Sequence, residues 1–600
     1  MLFRSTSRTE VLAARDQLLL DLHAFRTEAD ADLAASLRPE LLTCLDAFQE
    51  AKRVEGALDF LDLLLCARDL VRDHAEVRRH FQQRFRRIFV DEFQDTDPLQ
   101  AELLLLLSAD HPDETDWRAV KTTPGKLFVV GDPKQSIYRF RRADLSIYDR
   151  VCAQLEATGA IRVLLTRSFR SVETLHHFVN AAFGPVMDGR RDAQQAHYAP
   201  LEPDRPDLAS QPAVIALPVP APYGTRNVSA REIERSLPDA VGALVEWLVT
   251  RSGWSVTERG ASDRRVPLES RHICLLFRRF VSFGEDMTRP YLDALEARGV
   301  RHLLVGGRAF HEREEIDTIR AALAAIEWPD DQLSVFATLR GALFAIADED
   351  LLAFQHRGGR FHPFRAIPED LPAALLPIAD ALQVLKALHT ARNHRPVADT
   401  VAALLMATRA HVGFALRPAG EQVLANVLHV AELARQYEAD GGMSFRGFVD
   451  SLRDAALATA AAEAPILEEG SEGVRVMTVH KAKGLEFPVV ILEDITAKLA
   501  QAEPSRTIDL EQGLCALRLG GWSPHDLNVR RDLERERDRA EGERLAYVAA
   551  TRARDLLVVP AVGDGPYDGG WVSPLSSALY PHPDLCRQPE PAAGCPTFLS

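Results

Sequence analysis

The sequence predicts an α/β protein, and three apolar runs that open into polar loops are the main reason. Residues 88–90 are continuously apolar and end at two adjacent carboxylates, Asp91 and Glu92. Residues 126–130 and 489–492 are similar runs, with helical periodicity between the runs. An apolar run without alternation is typical of a parallel strand that is covered on both faces. Ligand chemistry in such sheets gathers at the carboxyl ends of the strands, where these polar loops begin.

Length and composition indicate an ordinary globular chain with several domains. At 600 residues, with 46% hydrophobic and 26% charged residues, the chain has room for about three or four domains of roughly 150 residues each. No apolar run approaches the ~20 residues of a membrane span, and the N-terminal segment soon becomes charged. We therefore expect a cytoplasmic protein with no signal peptide and no membrane partner.

Cysteine usage and net charge narrow the chemistry. The seven cysteines are scattered, odd in number and never in a Cys-x-x-Cys pair, which predicts reduced thiols and no zinc or iron–sulfur site. The net charge of −16 does not favour nucleic-acid binding, but a local basic groove can still bind a phosphate backbone. The charge sum is therefore weak evidence against a nucleic-acid partner.

The loop that follows the second apolar run mixes aromatic and basic side chains. Residues 131–144 contain Gln135, Tyr138 and Phe140, together with three arginines at 139, 141 and 142. Interleaved rings and cations suit single-stranded nucleic acid, because bases stack on rings while cations meet phosphates. The alternative is that Phe140 belongs to the core and the arginines lie on the surface.

Two further basic stretches have open interpretations. The run of arginines at 78, 79, 84, 86 and 87 is most simply a solvated helix face. Residues 161–165 predict a third strand, which leads to Arg167 and Arg170 ahead of a helix. Two arginines at a helix entrance are a plausible phosphate site.

Six stretches follow one another in an order that points to one family. They are Val90–Pro98, Gly131–Arg141, Ser168–Ser171, Gly306–Ile316, Thr478–Phe487 and Tyr547–Ala553. Together they resemble the motor of UvrD-type superfamily-one DNA helicases, and their wording is closest to the RecB and AddA helicase–nuclease subunits. The first resembles the Walker B motif, and the second resembles the motif that couples nucleotide to single strand. The matches extend from about residue 58 to residue 559, nearly the whole chain.

This resemblance implies an α/β fold with two RecA-like P-loop NTPase lobes, the first one incomplete, and an inserted helical domain. Residues 1–57 are expected to be a helical remnant of the first-lobe insertion, and 58–160 the first lobe. The second lobe is expected at 161–330, with a loop-rich insertion at about 184–265, and again at 468–562. The inserted helical domain is expected at 331–467, and a Pro- and Gly-rich tail at 563–600.

The resemblance also implies roles for individual residues. Asp91 would hold Mg²⁺ and Glu92 would activate the hydrolytic water, while Gln135 would sense the γ-phosphate of ATP. The expected roles of the remaining residues are charge neutralisation for Arg170 and Arg552, adenine stacking for Phe169, ribose contact for Glu486, base or strand contact for Tyr138, Phe140 and Arg141, and backbone contact for Thr478 and His480. Arg142 stands where many relatives have glycine, so the local loop shape is open.

The expected function is ATP-dependent DNA unwinding with 3′ to 5′ translocation, in repair or recombination. DNA is the expected substrate, and another subunit of a helicase–nuclease complex is a possible partner. No Gly-x-x-x-x-Gly-Lys-[Ser/Thr] loop occurs, so we expect it upstream of this chain, and expect this chain alone to hydrolyse little ATP. We also expect an apolar surface and an unpaired edge beside the Val129 strand. No nuclease site is visible. The alternative is a catalytically silent single-stranded-DNA-binding or scaffold subunit.

Overall fold

The computed structural model describes residues 7–190, 192–221, 228–258, 261–282, 285–305, 310–311, 313–417, 420–457, 473–509, 512–563, 567 and 569–580. These residues form two compact units: one comprises the chain up to Pro218 and from Ile495 onward, and the other comprises Val219–Asp494. The segment boundaries given above stay predictions. Among the described residues, none of the helices combines the length and apolar character that crossing a membrane requires.

The first unit begins with helices and continues into short parallel strands. Polar caps start its helices: the Asp59 side chain accepts from the Asp62 amide, and Asp97 accepts from the Gln100 amide at 2.8 Å. In chain order the elements are α1 (Arg8–Glu55), α2 (Phe60–Asp73), α3 (Ala75–Arg84), β1 (Ile88–Val90), α4 (Pro98–Ser108), β2 (Leu127–Val129), α5 (Leu145–Ala157), β3 (Arg167–Val172), α6 (Glu173–Phe183), β4 (Glu202–Arg205) and β5 (Val214–Pro218).

Strands β1 and β2 confirm the first two predicted strands. They pair in parallel, with Ile88 opposite Leu127 and Val90 opposite Val129. A core that includes Leu105 of α4 packs against one face of this pair. Because parallel strands end at the same edge, the loop that begins at Asp91 and the loop that begins at Gly131 lie side by side.

The other face of this two-stranded sheet is open, so the prediction that both faces are covered is wrong here. Phe89 is 75% exposed and Phe128 is 60% exposed. Side chains alternate along a strand, which turns Ile88 and Val90 to the core and Phe89 to the opposite face. The expected apolar surface beside β2 is therefore present in the described part of the chain.

The predicted strand at residues 161–165 is also wrong. Ile161 and Leu165 are 89% and 87% exposed, and the backbone there is irregular. The strand begins instead at Arg167, where β3 pairs in parallel with β4. An apolar run predicts a buried strand only where neighbouring elements cover it, and the described residues leave this run in solvent.

The second unit confirms the strand-and-helix alternation and contains a large helical region. Strands β11, β12, β8 and β13 pair in parallel in that order, and all five residues of β8 are buried. Helices α9–α16 share one apolar core, and α7 lies inside the stretch predicted to be loop-rich. The elements are α7 (Ala230–Thr250), β6 (Ser255–Glu258), β7 (Ala261–Pro267), β8 (Ile273–Phe277), β9 (Val281–Ser282), β10 (Glu285–Asp286), α8 (Arg289–Glu296), β11 (His302–Val305), α9 (Glu314–Glu327), α10 (Gln332–Arg340), α11 (Asp348–His356), α12 (Leu376–Ala391), α13 (Val397–Thr408), α14 (Ala410–Ala415), α15 (Gly420–Ala439), α16 (Phe445–Leu457), β12 (Val474–Thr478), α17 (Val479–Ala482) and β13 (Phe487–Leu492).

The chain then returns to the first unit, where one long helix and one buried strand position the rest of the site. The elements are β14 (Arg506–Asp509), β15 (Leu514–Leu517), α18 (His525–Val529), α19 (Arg531–Ala550), β16 (Ala553–Ala561) and α20 (Ser576–Leu579). Strand β16 is buried throughout and pairs in parallel with β5, with Val558 opposite Ile215. The short turn between α19 and β16 carries Thr551 and Arg552.

Candidate active site

The two carboxylates at the end of β1 sit on a tightly turned backbone. Glu92 adopts the left-handed conformation, with φ 52°, and its amide donates to Oδ1 of Asp91 at 2.9 Å. For a residue other than glycine this conformation costs about 1 kcal/mol or more. Both side chains are exposed at the strand end. Backbone strain of this kind is concentrated at functional sites, where it directs side chains toward a ligand.

Gln94 joins this turn to the loop after β2, and it is not among the site residues that the sequence predicts. Its amide nitrogen donates to Oε2 of Glu92, and its amide oxygen accepts from the backbone N–H of Asp132 at 2.9 Å. The side chain is completely buried. Gly131 allows this approach, since a Cβ there would lie 2.8 Å from Oε1 of Gln94. A buried glutamine directly after an acidic pair, facing a glycine, was the available signal.

Gln135 and Arg552 meet within the first unit. Oε1 of Gln135 accepts a hydrogen bond from Nη2 of Arg552 at 3.3 Å, and Nε2 of Gln135 donates to Asp132 at 3.1 Å. The Arg552 side chain is buried, and its Nε donates to the carbonyl of Val548 at 3.0 Å in the last turn of α19. A buried guanidinium held by neutral acceptors keeps its positive charge available to an anionic ligand.

Arg170 reaches the same turn as Arg552. Its Nη1 donates to the carbonyl of Thr551 at 3.4 Å, while Nη2 of Arg552 donates to the hydroxyl of Thr551 at 3.1 Å. The Ser171 hydroxyl donates to the carbonyl of Ala553 at 2.6 Å and fixes the end of β3 against β16. The two arginines that the resemblance singled out are therefore brought together. Phe169, one residue earlier, is 66% exposed and open to stacking.

The predicted strand-contact side chains form one exposed group on the loop after β2. The rings of Tyr138 and Phe140 have centroids 5.8 Å apart, and the guanidinium of Arg141 lies 5.6 Å and 5.7 Å from them. Phe140 is 56% exposed, so the interpretation of Phe140 as a core residue is wrong. Exposed rings next to a cation are the arrangement that single-stranded nucleic acid requires.

Arg139 anchors this loop to α19 and was also missed as a site residue. Its Nη1 contacts Asp538 at 2.6 Å, its Nη2 contacts Glu534, and its backbone N–H donates to Glu541 at 3.0 Å. Glu534 is completely buried. These partners lie about 400 residues away in the chain, which is why a local pattern could not identify them.

Arg142 resolves the open question about loop shape. It adopts φ 71° and ψ 12°, the left-handed conformation in which glycine is unstrained. The loop therefore keeps the turn that a glycine would form, at the expense of strain in the arginine backbone.

Three predicted site residues belong to the second unit. Thr478 ends β12, and its hydroxyl accepts from the amide of Lys481 at 3.4 Å, capping α17. His480 lies in α17 and Glu486 directly precedes β13, and both side chains are half-buried. Within the predicted Gly306–Ile316 block, residues 306–309 and 312 lie outside the described residues.

The donor set after β1 fits a magnesium ion that is bound together with a nucleotide. Mg²⁺ prefers oxygen ligands and is usually held by one or two carboxylates plus phosphates and water. Asp91 offers such a carboxylate at a strand end, and Glu92 is adjacent. Among the described residues there is no group of three or more histidine, cysteine or carboxylate ligands, so an all-protein metal cage is not found there.

Comparisons with known proteins match both parts of the chain to one family. Residues 10–155 match the UvrD/REP helicase N-terminal domain, and residues 377–562 match the UvrD-like helicase C-terminal domain. The described fold, with parallel strands that end at the clustered polar residues, places the chain in the class of RecA-like α/β proteins. Within that class, the chain belongs to the UvrD-like helicase family.

Individual relatives are similar to the chain at modest identity, and three of them are the A subunits of proteins named ATP-dependent helicase/nuclease. The one from Exiguobacterium sibiricum is 28% identical over 90% of this chain and 46% of its own length. The one from Latilactobacillus sakei is 26% identical over 82% of this chain and 57% of its own length. That from Listeria innocua is 25% identical over 93% and 46%. The chain spans about half the length of the curated relatives it matches.

Proposed function

We propose that this chain is the motor region of an ATP-dependent DNA helicase of the UvrD type. It would act in repair or recombination, with 3′ to 5′ movement along single-stranded DNA. The observation that carries the proposal is the contact between Gln135 and Arg552. It joins the loop that bears the exposed rings to the turn where two arginines meet, beside the carboxylates after β1.

ATP bound with Mg²⁺ would supply the phosphoryl group and the bridging cation of the reaction. Asp91 is the residue that would hold the cation, and Glu92 the residue that would orient the attacking water. Gln135 would respond to the terminal phosphate, while Arg170 and Arg552 would stabilise negative charge that develops on it. Phe169 would stack on the base, and Glu486 would contact the ribose.

The strand would lie across Tyr138 and Phe140, with Arg141 close to a phosphate. Thr478 and His480 would contact the strand backbone. Bases stack on exposed rings with little dependence on sequence, which suits a motor that must pass any base. A second subunit of a helicase–nuclease complex is the proposed protein partner, since the relatives are named as one subunit of such an assembly. The proposed compartment is the cytoplasm.

The decisive experiment is ATP turnover by this chain, with and without single-stranded DNA. Glu92→Gln is the matched variant, because it keeps the side-chain size and removes the carboxylate. DNA-stimulated turnover that Glu92→Gln abolishes would support a motor. DNA binding that Phe140→Ala weakens, without any turnover, would support a strand-binding scaffold and contradict activity of this chain alone.

A further inference from the structure

A basic cleft of about 470 Å³ lies beside the amino ends of β1 and β2. Its walls come from α3, from the connection to β1, from the segment after α4 and from the segment before β2. Arg86 and Arg87 immediately precede Ile88, and Lys126 immediately precedes Leu127. Since β1 and β2 are parallel, the basic cleft lies at the opposite sheet edge from the Asp91 and Gly131 loops. It is therefore separate from the candidate active site.

The basic cleft is locally cationic in a chain with a net charge of −16. Its lining includes four basic side chains, Arg79, Arg86, Arg87 and Lys126, and one carboxylate, Asp110. The neighbouring Arg78 differs from them, because it is buried and donates to the carbonyls of Val71, Arg72 and Pro112. The arginine run is therefore not one uniform solvated helix face: one arginine stabilises the fold, and three line the cleft.

The described partners of these cations are mostly uncharged. Nζ of Lys126 donates to the carbonyl of Gln82 at 2.8 Å, and Nη1 of Arg87 donates to the carbonyl of Arg86 at 3.1 Å. Lys126 is only 7% exposed, and its burial lowers the pKa of the ammonium group. A buried cation is unfavourable unless an anion compensates it.

The one described ion pair at the cleft is weak. Arg79 contacts Asp113 at 3.4 Å, and the two side chains are 49% and 80% exposed. Exposed pairs of this kind contribute about 0 to 1 kcal/mol, so an incoming anion can replace the carboxylate at little cost.

We propose that the basic cleft binds a phosphate group, with Arg86 and Arg87 as its guanidinium donors and Lys126 as the buried cation. Guanidinium groups present paired N–H donors that match two phosphate oxygens, and an ammonium adds a point charge. A backbone phosphate of DNA and a free phosphate compound share this chemistry. In the first case the chain gains a DNA contact that is independent of Tyr138 and Phe140.

The test compares Arg86→Gln combined with Arg87→Gln against Arg84→Gln. Arg84 is a matched control, because it is an exposed arginine at the end of α3 that does not line the basic cleft. Calorimetry with pyrophosphate measures the free-phosphate arm. Fluorescence anisotropy with a short DNA duplex at several salt concentrations measures the backbone arm. Thermal melting checks that each variant is folded.

We expect the control to behave like the wild type and the double variant to lose pyrophosphate binding. If a DNA phosphate occupies the cleft, the slope of log affinity against log salt should also decrease by about 1 to 2, roughly one unit per lost phosphate contact. Loss of pyrophosphate binding with unchanged DNA binding assigns the cleft to free phosphate compounds. Absence of pyrophosphate binding, together with identical DNA binding by both variants, would overturn the proposal. Phe140→Ala should leave pyrophosphate binding intact, so failure of the proposed strand contact is distinguishable.

Discussion

The amide of Gln135 and the guanidinium of Arg552 are joined by a 3.3 Å hydrogen bond across 417 residues of sequence. Gln135 lies on the loop after β2, and Arg552 lies on the turn between α19 and β16. Arg552 is buried, so the contact is shielded from water. Whatever changes the position of one of these elements is transmitted directly to the other.

This contact predicts energetic coupling between the two residues. Urea unfolding of Gln135→Ala, Arg552→Lys and the double variant should give a coupling energy of about 0.5 to 1.5 kcal/mol, the usual range for one intramolecular hydrogen bond. Arg205→Lys is the control partner, because Arg205 pairs with Asp555 at 2.8 Å. Its coupling to Gln135→Ala should be near zero. Additive effects for Gln135 and Arg552 would contradict the prediction.

Gln94 should be important for stability although it lies beside the candidate catalytic residues. Gln94→Leu keeps the approximate size, but it removes the acceptor for the Asp132 amide and the donor to Glu92. Leaving such polar groups without partners costs about 1 to 3 kcal/mol. Urea unfolding measures this loss. Gln17→Leu, on the exposed face of α1, should change stability by less than about 0.5 kcal/mol.

The sequence predicts the parts of this site that depend on local patterns. The apolar runs identify β1 and β2, and the polar residues that follow place Asp91 and Gln135 at one sheet edge. It could not predict that Phe89 is exposed, because an apolar residue carries no information about what covers it. It also could not identify Arg139, whose charged partners on α19 are distant in the chain. Contacts between remote segments require the fold itself.

Arg142 should tolerate, and benefit from, replacement by glycine. Its φ of 71° costs an arginine about 1 kcal/mol or more, whereas glycine adopts it without strain. The greater freedom of glycine in the unfolded chain offsets about 0.4 to 1 kcal/mol of the gain. Urea unfolding should therefore show Arg142→Gly to be as stable as the wild type or up to about 1 kcal/mol more stable. Arg84→Gly, in the last turn of α3, should be destabilising; a similar loss at Arg142 would refute the strain argument.

Arg139 should be the main electrostatic link between the exposed-ring loop and α19. Arg139→Met leaves Asp538 and the buried Glu534 without this cation, although Arg537 still contacts Glu534 at 2.8 Å. Breaking a buried ion pair on one side costs about 3 to 5 kcal/mol, and the remaining arginine should keep the loss near the lower value.

Urea unfolding measures this change, with Arg141→Met as the control, since the Arg141 side chain is exposed. Arg139→Lys should restore part of the stability, because one ammonium can contact only one of the two carboxylates well. Equal effects at positions 139 and 141 would show that the contacts to α19 contribute little.

Glu543 should make stability depend on pH. It is buried in α19 and accepts a hydrogen bond from Gln195. Burial raises the pKa of the Glu543 carboxyl to about 7, opposed by the nearby Arg539 and by the Gln195 bond. The folded state thus holds a proton that the unfolded chain, with a pKa near 4.5, releases. The contribution of Glu543 to stability is therefore largest below about pH 4.5 and is lost as the pH rises through about 7.

Glu543→Gln should remove this dependence, because glutamine resembles the protonated carboxyl and can still accept from Gln195. Relative to the wild type, the variant should have a similar urea midpoint at pH 5 and a clearly higher one at pH 8. Taking the difference between the two proteins cancels the titration of all other groups. Asp532→Asn is the control: its carboxylate, in the first turn of the same helix, is 95% exposed, so its difference from the wild type should not change with pH. A pH-independent difference for Glu543→Gln would mean that this carboxyl is ionised in the folded protein at pH 5.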